Sequence, residues 1–315
     1  MGSGFKGIVA IGMVLLDGIG AATESAAEWL GDLPIPAHVD AKRMAELRER
    51  LSRAPASVDW RAGGGVSNLA RAAGAIGLPV EVWGCVGDDA DGASIAASLR
   101  RSGAFPRLID SRMPTGVFCS LACPGGTRRI VVSPGAAPDI AHASFPDDAF
   151  HRGWALYLDG LLAAEPDSMD SLAARARSEG MLVAMDLSTP GNVAARRETL
   201  LRFAARRCDL IFANEAEFAA AFEGGGPDPA DETAWVLKRG ERGAALLRHG
   251  TLIEEEPRER LSPRDDTGAG DAFAAGYLGA ALEGLDGRES LRRGNATAAA
   301  ALRNSLPNVQ EFLRL

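Results

Sequence analysis

The sequence is short of several things that whole classes of function require. Lysine is nearly absent: of 34 lysines and arginines only Lys6, Lys42 and Lys238 are lysines, so chemistry that needs a catalytic lysine has few candidates. No apolar run is long enough to span a bilayer, so no membrane partner is expected. The stretch from Met1 to Lys6 enters an apolar, strand-like run at once. It lacks a signal peptide's apolar region and cleavage site, and Lys6 stands where a myristoylation pattern needs Ser or Thr. The cytoplasm is the expected location. The cysteines Cys85, Cys119, Cys123 and Cys208 suit reduced thiols, and the Cys119/Cys123 spacing has no second pair to complete a zinc site. With His38, His142, His151 and His249 scattered, no transition-metal centre is expected. The formal net charge of −8 lacks the basic excess of a nucleic-acid protein, so no nucleic-acid partner is expected. There is no Gly-Lys for a Walker A loop, no His-Glu-x-x-His and no Gly-x-Ser-x-Gly.

What is present is ordinary for a globular chain: 315 residues, 46% hydrophobic and 24% charged, enough for one large α/β domain or two small ones. Short apolar runs at 7–12, 80–85, 154–158, 181–186, 209–213 and 234–238 predict strands. Between or after them, 67–76, 92–101, 167–179, 194–205, 267–282 and 288–303 predict helices. Strand and helix in alternation predict a mainly parallel sheet with helices on both faces, which puts ligands at the C-terminal ends of the strands. Two regions break the rhythm. Residues 13–61 hold one charged helical piece (40–53) among Pro- and Gly-rich segments, and 106–133 read as hairpins with a turn at Pro124-Gly125-Gly126. Together they predict a small β flap on the α/β body. No internal repeat is visible, and Gly224-Gly225-Gly226-Pro227 reads as a surface loop.

The densest signal is Asp265-Asp266-Thr267-Gly268-Ala269-Gly270-Asp271, followed by an Ala-rich helix. A helix start offers unpaired N–H groups and the positive end of a dipole, and small residues let a phosphate approach. Asp271 beside such an anion hole is either a helix cap or the carboxylate that takes a proton from an attacking hydroxyl. The same run fails as a dinucleotide fingerprint, because Phe273 stands where Gly or Ala is needed. A second cluster, Gly63-Gly64-Gly65-Val66-Ser67-Asn68, leads into a helix and is followed by Gly84-x-x-Gly87-x-Asp89-x-x-Gly92.

With Asn214-x-x-Glu217, Lys238-Arg239-Gly240-x-x-Gly243 and Asp17 after the first strand, these motifs resemble, in order and over nearly the whole chain, the ribokinase-like (PfkB) carbohydrate kinases. The resemblance implies one catalytic domain over 1–315, with a lid from roughly 13–61 and 106–133. It implies an ATP-dependent kinase that phosphorylates a primary hydroxyl of a small sugar. Asp271 would be the base, and Gly268, Ala269 and Gly270 the anion hole. Asp17, Gly64 and Asn68 would hold the acceptor. Asn214 and Glu217 would organise Mg²⁺ and the phosphates, partly through water. Gly240 and Gly243 would lie beside the nucleotide, with Asn295 near its base. Asp265 and Thr267 would hold a monovalent cation such as K⁺. Arg128 or its neighbour Arg129 would swing over the phosphates, and paired flap edges would make a homodimer.

Simpler readings stand beside these. Asp17 could cap a turn, Asn214 and Glu217 could serve the strand end and the next helix, the two arginines could be solvated, Lys238 could snorkel, and Asp159 could cap a strand end. Gly65 replaces a lysine common in ribokinases proper, and Asp266 replaces the usual Thr or Ser. The segments around 156–160 and 212–217, and the insert after the first strand, lean towards the adenosine-kinase branch, so a nucleoside acceptor is the alternative. With aromatics at 6%, no pair to sandwich a purine can be located. A non-catalytic sugar- or nucleotide-sensing protein on the same fold is the rival of another class. An NAD(P)-dependent oxidoreductase lacks its fingerprint.

Overall fold

A computed structural model describes residues 6–31, 33–53, 58–123, 126–255 and 266–305. Nine strands form the large sheet. In spatial order they are β14 (Thr251–Glu255), β13 (Ala244–Arg248), β12 (Ala234–Lys238), β11 (Leu210–Asn214), β10 (Leu182–Asp186), β9 (Ala155–Asp159), β1 (Ile8–Ile11), β5 (Val80–Gly87) and β6 (Phe105–Ser111). From β12 to β6 all neighbours are parallel; β13 and β14 add an antiparallel edge.

The alternation of side chains divides each central strand between two cores. Ile8 and Ala10 of β1, Ala155 and Tyr157 of β9, and Leu210 and Phe212 of β11 join one cluster. Val9 and Ile11, Leu156 and Leu158, and Ile211 and Ala213 join the other. Both faces are therefore apolar, as a parallel sheet covered by crossover helices requires. The first face carries α3 (Gly65–Ala75), α4 (Ala90–Arg101), α8 (Ala269–Glu283) and α9 (Gly287–Ser305). The second carries α5 (Pro166–Ser178), α6 (Pro190–Arg207) and α7 (Glu215–Phe222). Helix α8 is buried through most of its length, and α9 lies tight against it: a Cβ on Gly276 would meet Thr297 Oγ1 at 2.3 Å.

The flap is a separate five-stranded sheet in the order β3 (Ala37–His38), β8 (Arg128–Ser133), β7 (Val117–Ala122), β2 (Leu15–Ala21) and β4 (Val58–Gly63). Helices α1 (Glu24–Leu30) and α2 (Ala41–Ser52) pack with it through Leu30, Met44, Leu47 and Leu51. The hairpin β7–β8 and the helix α2 fall where the sequence predicts them. Residues 105–111 do not join the flap; they form the outer strand of the large sheet. Pro106 suits an outer strand, where its missing N–H costs no ladder bond. Strands β2, β3, β4, β13 and β14 were not predicted.

The flap is anchored to the body by Asp89, the N-cap of α4. Its carboxylate accepts from Gly92 N (2.9 Å), Thr115 N (2.8 Å) and Thr115 Oγ1 (2.6 Å). Burial opposes the charge, but the Thr115 hydroxyl and the backbone N–H groups outweigh it and hold the Asp89 carboxyl below its ordinary value. The Gly87-x-Asp89-x-x-Gly92 pattern is thus a hinge clasp, and it does not line the main cavity.

Candidate active site

The parallel register brings the C-terminal ends of the central strands level. Asp159 of β9 is the partner of Asp186 of β10, and Asn214 of β11 that of Lys238 of β12. All four line one cavity of about 420 Å³, between the sheet, the start of α8 and the flap. This is the place the alternating pattern predicts for a ligand.

Asp271 faces this cavity from the first turn of α8. The cap of that helix is Gly268, so Asp271 is the third helical residue and not the cap. Gly268 has φ +84°, and a Cβ there would stand 3.0 Å from the Asn68 side chain, so both backbone and space call for glycine. Gly268 leaves the first N–H groups of α8 without helical acceptors, beside the cavity. Asn68 Nδ2 donates to Asp271 Oδ2 at 3.0 Å, and Arg71 Nη2 donates to Asn68 Oδ1 at 2.6 Å. Arg71 therefore fixes which way the amide turns. It is one helical turn from Asn68 on α3, and no motif announced it. Burial, then the charge of Asp186, pushes the Asp271 carboxyl up to about 7, against the pull of Lys238 and Asn68. A carboxyl in that range is tuned for proton transfer near neutrality.

Lys238 Nζ donates to Asp186 Oδ2 at 2.5 Å. Burial works to lower its pKa, but the carboxylates of Asp186, Glu217 and Asp271 outweigh it and raise it, so the ammonium stays charged. The snorkelling alternative for Lys238 does not describe this residue. Asp186 was missing from the sequence reading; an apolar strand ending in Asp, the pattern noted for Asp159, was its only signal. Asp159 itself is fully engaged: Oδ1 accepts from Leu161 N (3.0 Å) and Ser188 Oγ (2.5 Å), and Oδ2 from Met13 N (3.3 Å).

Asn214 and Glu217 form a reciprocal capping box at the start of α7. Asn214 Oδ1 accepts from Glu217 N (2.9 Å), and Glu217 Oε2 accepts from Asn214 N (2.7 Å). Glu217 Oε1 also accepts from Asn214 Nδ2 at 2.7 Å. Glu217 is buried, and burial followed by the Asp186 charge raises its pKa. The Asn-x-x-Glu spacing is thus a helix start that presents a fixed carboxylate to the cavity.

Asp17, on β2, lines the flap side of the cavity with Gly64. A Cβ on Gly63 would collide with the Asp17 carboxylate at 1.8 Å, so glycine at 63 makes room for it. Of the residues singled out by sequence, Asp17, Gly64, Asn68, Asn214, Glu217, Thr267, Gly268, Gly270 and Asp271 line this one cavity, and Ala269 lies in the same helical turn. Gly240 and Gly243 bound the β12–β13 turn, and Asn295 lies on α9; none of the three lines the cavity. Arg128 is an exposed flap residue whose Nε donates to Ser120 Oγ at 2.7 Å, and Arg129 Nη2 donates to Leu30 O at 3.2 Å. Neither arginine is among the residues lining the cavity. Asp265 lies outside the described residues.

A sequence profile of the pfkB family carbohydrate kinase matches residues 30–310. A 2-dehydro-3-deoxygalactonokinase of Haloferax volcanii is 28% identical over 278 residues, covering 80% of this chain and 84% of that protein. An adenosine kinase of Schizosaccharomyces pombe is 26% identical over 275 residues, covering 78% and 80%. Among solved structures, adenosine kinase from Sinorhizobium meliloti superposes with TM-score 0.81 at 24% identity, over 95% of this chain and 94% of that one. A profile match over most of the length, with relatives that are sugar and nucleoside kinases, agrees with the ordered motifs and the sheet topology: the chain belongs to the PfkB family of carbohydrate kinases.

Proposed function

We propose that the protein transfers the γ-phosphoryl group of ATP to a primary hydroxyl of a small sugar. One observation carries this reading. A carboxyl with a pKa of about 7 stands one turn into a helix whose N-terminus opens on the same cavity. In this reading Asp271 accepts the hydroxyl proton as the sugar oxygen bonds to the γ-phosphorus. The bond from that phosphorus to the β-bridging oxygen breaks, and ADP leaves with the electron pair. The N–H groups at Gly268 and Gly270 would stabilise the charge on the transferring group, while that of Ala269 donates to Asp266 O at 3.1 Å. Asp17, Asn68 and the Gly64 backbone would hold the sugar hydroxyls.

Among the described residues no three His, Cys, Asp or Glu side chains gather as ligands for a bare ion, and both Glu217 oxygens are engaged by Asn214. That donor set suits a hydrated Mg²⁺, which keeps much of its water shell. Glu217 would hold it through water, and when bound it would supply charge neutralisation on the phosphates.

A small sugar is favoured over a nucleoside by the cavity wall. The flap contributes one aromatic ring, Phe118, and the remaining contacts on that side are Asp17, Leu15 and Met13. The nucleoside alternative draws its support from the adenosine-kinase relatives. The test is ADP release from Mg-ATP across hexoses, pentoses, sugar acids and nucleosides, with Asp271→Asn alongside. Turnover with a sugar that falls ~10²–10⁴-fold in the variant is expected. Turnover confined to nucleosides would replace the sugar, and a variant as fast as wild type would remove Asp271 from its role. ATP binding with no turnover on any acceptor would favour the sensing alternative.

A further inference from the structure

Lys238 has a position that a merely structural ion pair does not need. It ends β12 with its side chain 15% exposed, lines the cavity, and gives one hydrogen bond among the described residues, to Asp186. Asp186 is itself held, its Oδ1 accepting from Ser188 N at 2.9 Å. The ammonium lies 3.2 Å from the point where a Cβ on Gly270 would stand, so it sits over the second residue of α8, at the positive end of that helix. An ammonium has three N–H donors, and Asp186 takes one. Buried ion pairs contribute little net stability, because desolvation offsets their attraction. A cation, an oriented anchor and a helix N-terminus converging on one cavity make a receptor for a highly charged oxyanion.

We infer that Lys238 is the cationic clamp for the transferring phosphoryl group, held over the start of α8 by Asp186 until the terminal phosphate of a nucleoside triphosphate arrives. This rests on the kinase reading and deepens it. Lys238 contacts the γ-phosphate, whereas Asp186 is a positioning residue that acts through Lys238. With three lysines in the chain, Lys42 exposed on α2 and Lys6 donating to Leu282 O, no other lysine is available for the task.

The test compares ATP with ADP, each with Mg²⁺ and without acceptor, by titration calorimetry on wild type, Lys238→Met, Lys238→Arg and the double variant Lys238→Met/Asp186→Asn. Losing a charge-assisted contact to the γ-phosphate should weaken ATP by ~10-fold or more while ADP changes less than about 2-fold. With the best acceptor, kcat should fall ~10²-fold and the acceptor KM should hold. Lys238→Arg should recover part of both. The double variant removes the pair as a unit, so that an uncompensated Asp186 charge cannot cause the defect, and it should keep the ATP-selective loss. Equal weakening of ATP and ADP, no weakening, or a loss that disappears in the double variant would overturn the inference. A wild type that binds ATP yet phosphorylates no acceptor would sink the kinase reading and leave the ATP-versus-ADP comparison in force. A wild type that binds neither nucleotide would overturn both.

Discussion

At Asp271 two demands meet in one carboxyl. Folding prefers it neutral, since it is buried beside Asp186, while the proposed proton abstraction needs it ionised. The folded group titrates at about 7 against an ordinary value of 3.8. Between those limits the native chain keeps a proton that the unfolded chain has lost, so stability falls as pH rises from about 4 to about 7 and is level above. Asp271→Asn removes that slope. At about pH 8 the variant should melt above wild type, by at most ~4 kcal/mol, and near pH 4 the two should coincide. A variant that melts lower at pH 8 would show that the native state does not disfavour the charge. If Asp271 is the proposed base, activity runs the other way: kcat/KM should climb with pH through about 7 as the carboxyl ionises. Asp271 and Asn68 were legible because each lies in a contiguous motif. Arg71 was not, because only a helical turn brings it to Asn68, and Asp186 had no signal beyond an apolar strand ending in Asp.

At the scale of elements, the clasp of Asp89 on Thr115 ties the root of β7 to the start of α4. Asp89→Ala removes a cap and leaves the buried Thr115 hydroxyl short of a partner, which should cost ~1–3 kcal/mol. Amide exchange should quicken at Thr115 and Gly92 and stay slow in the middle of α8; uniform acceleration would mean that the clasp is not local. The six predicted strands were legible because each is apolar on both faces. The missed ones are half-polar, interrupted or short: Val58-Asp59-Trp60-Arg61 alternates, Leu15–Ala21 carries Asp17 and two glycines, β3 has two residues, and β13 and β14 are short antiparallel additions of which β14 is the edge. The lid boundary drawn at 106 failed for a related reason. A Pro near a strand start reads as a break unless the strand is known to lie at an edge.

For the molecule as a whole, the two cores share every central strand, so neither should melt alone. Leu69→Ala in one and Leu200→Ala in the other should each cost ~2–5 kcal/mol, with a single calorimetric transition throughout. Their double variant should be additive to within ~0.5 kcal/mol, since the residues share no partner cluster. A second transition in either variant would mean independent layers. The flap is connected differently. Its strands run from Leu15 to Ser133, yet α3, β5, α4 and β6 of the body are threaded between them. On the ribosome the lid cannot be completed until Ser133 has emerged, by which time much of the first core's chain is already made. It follows that the lid is not a cassette. Exchanging it with a relative's, to move acceptor preference between kinases, would have to carry β5 and β6 of the large sheet, with α3 and α4, along with it.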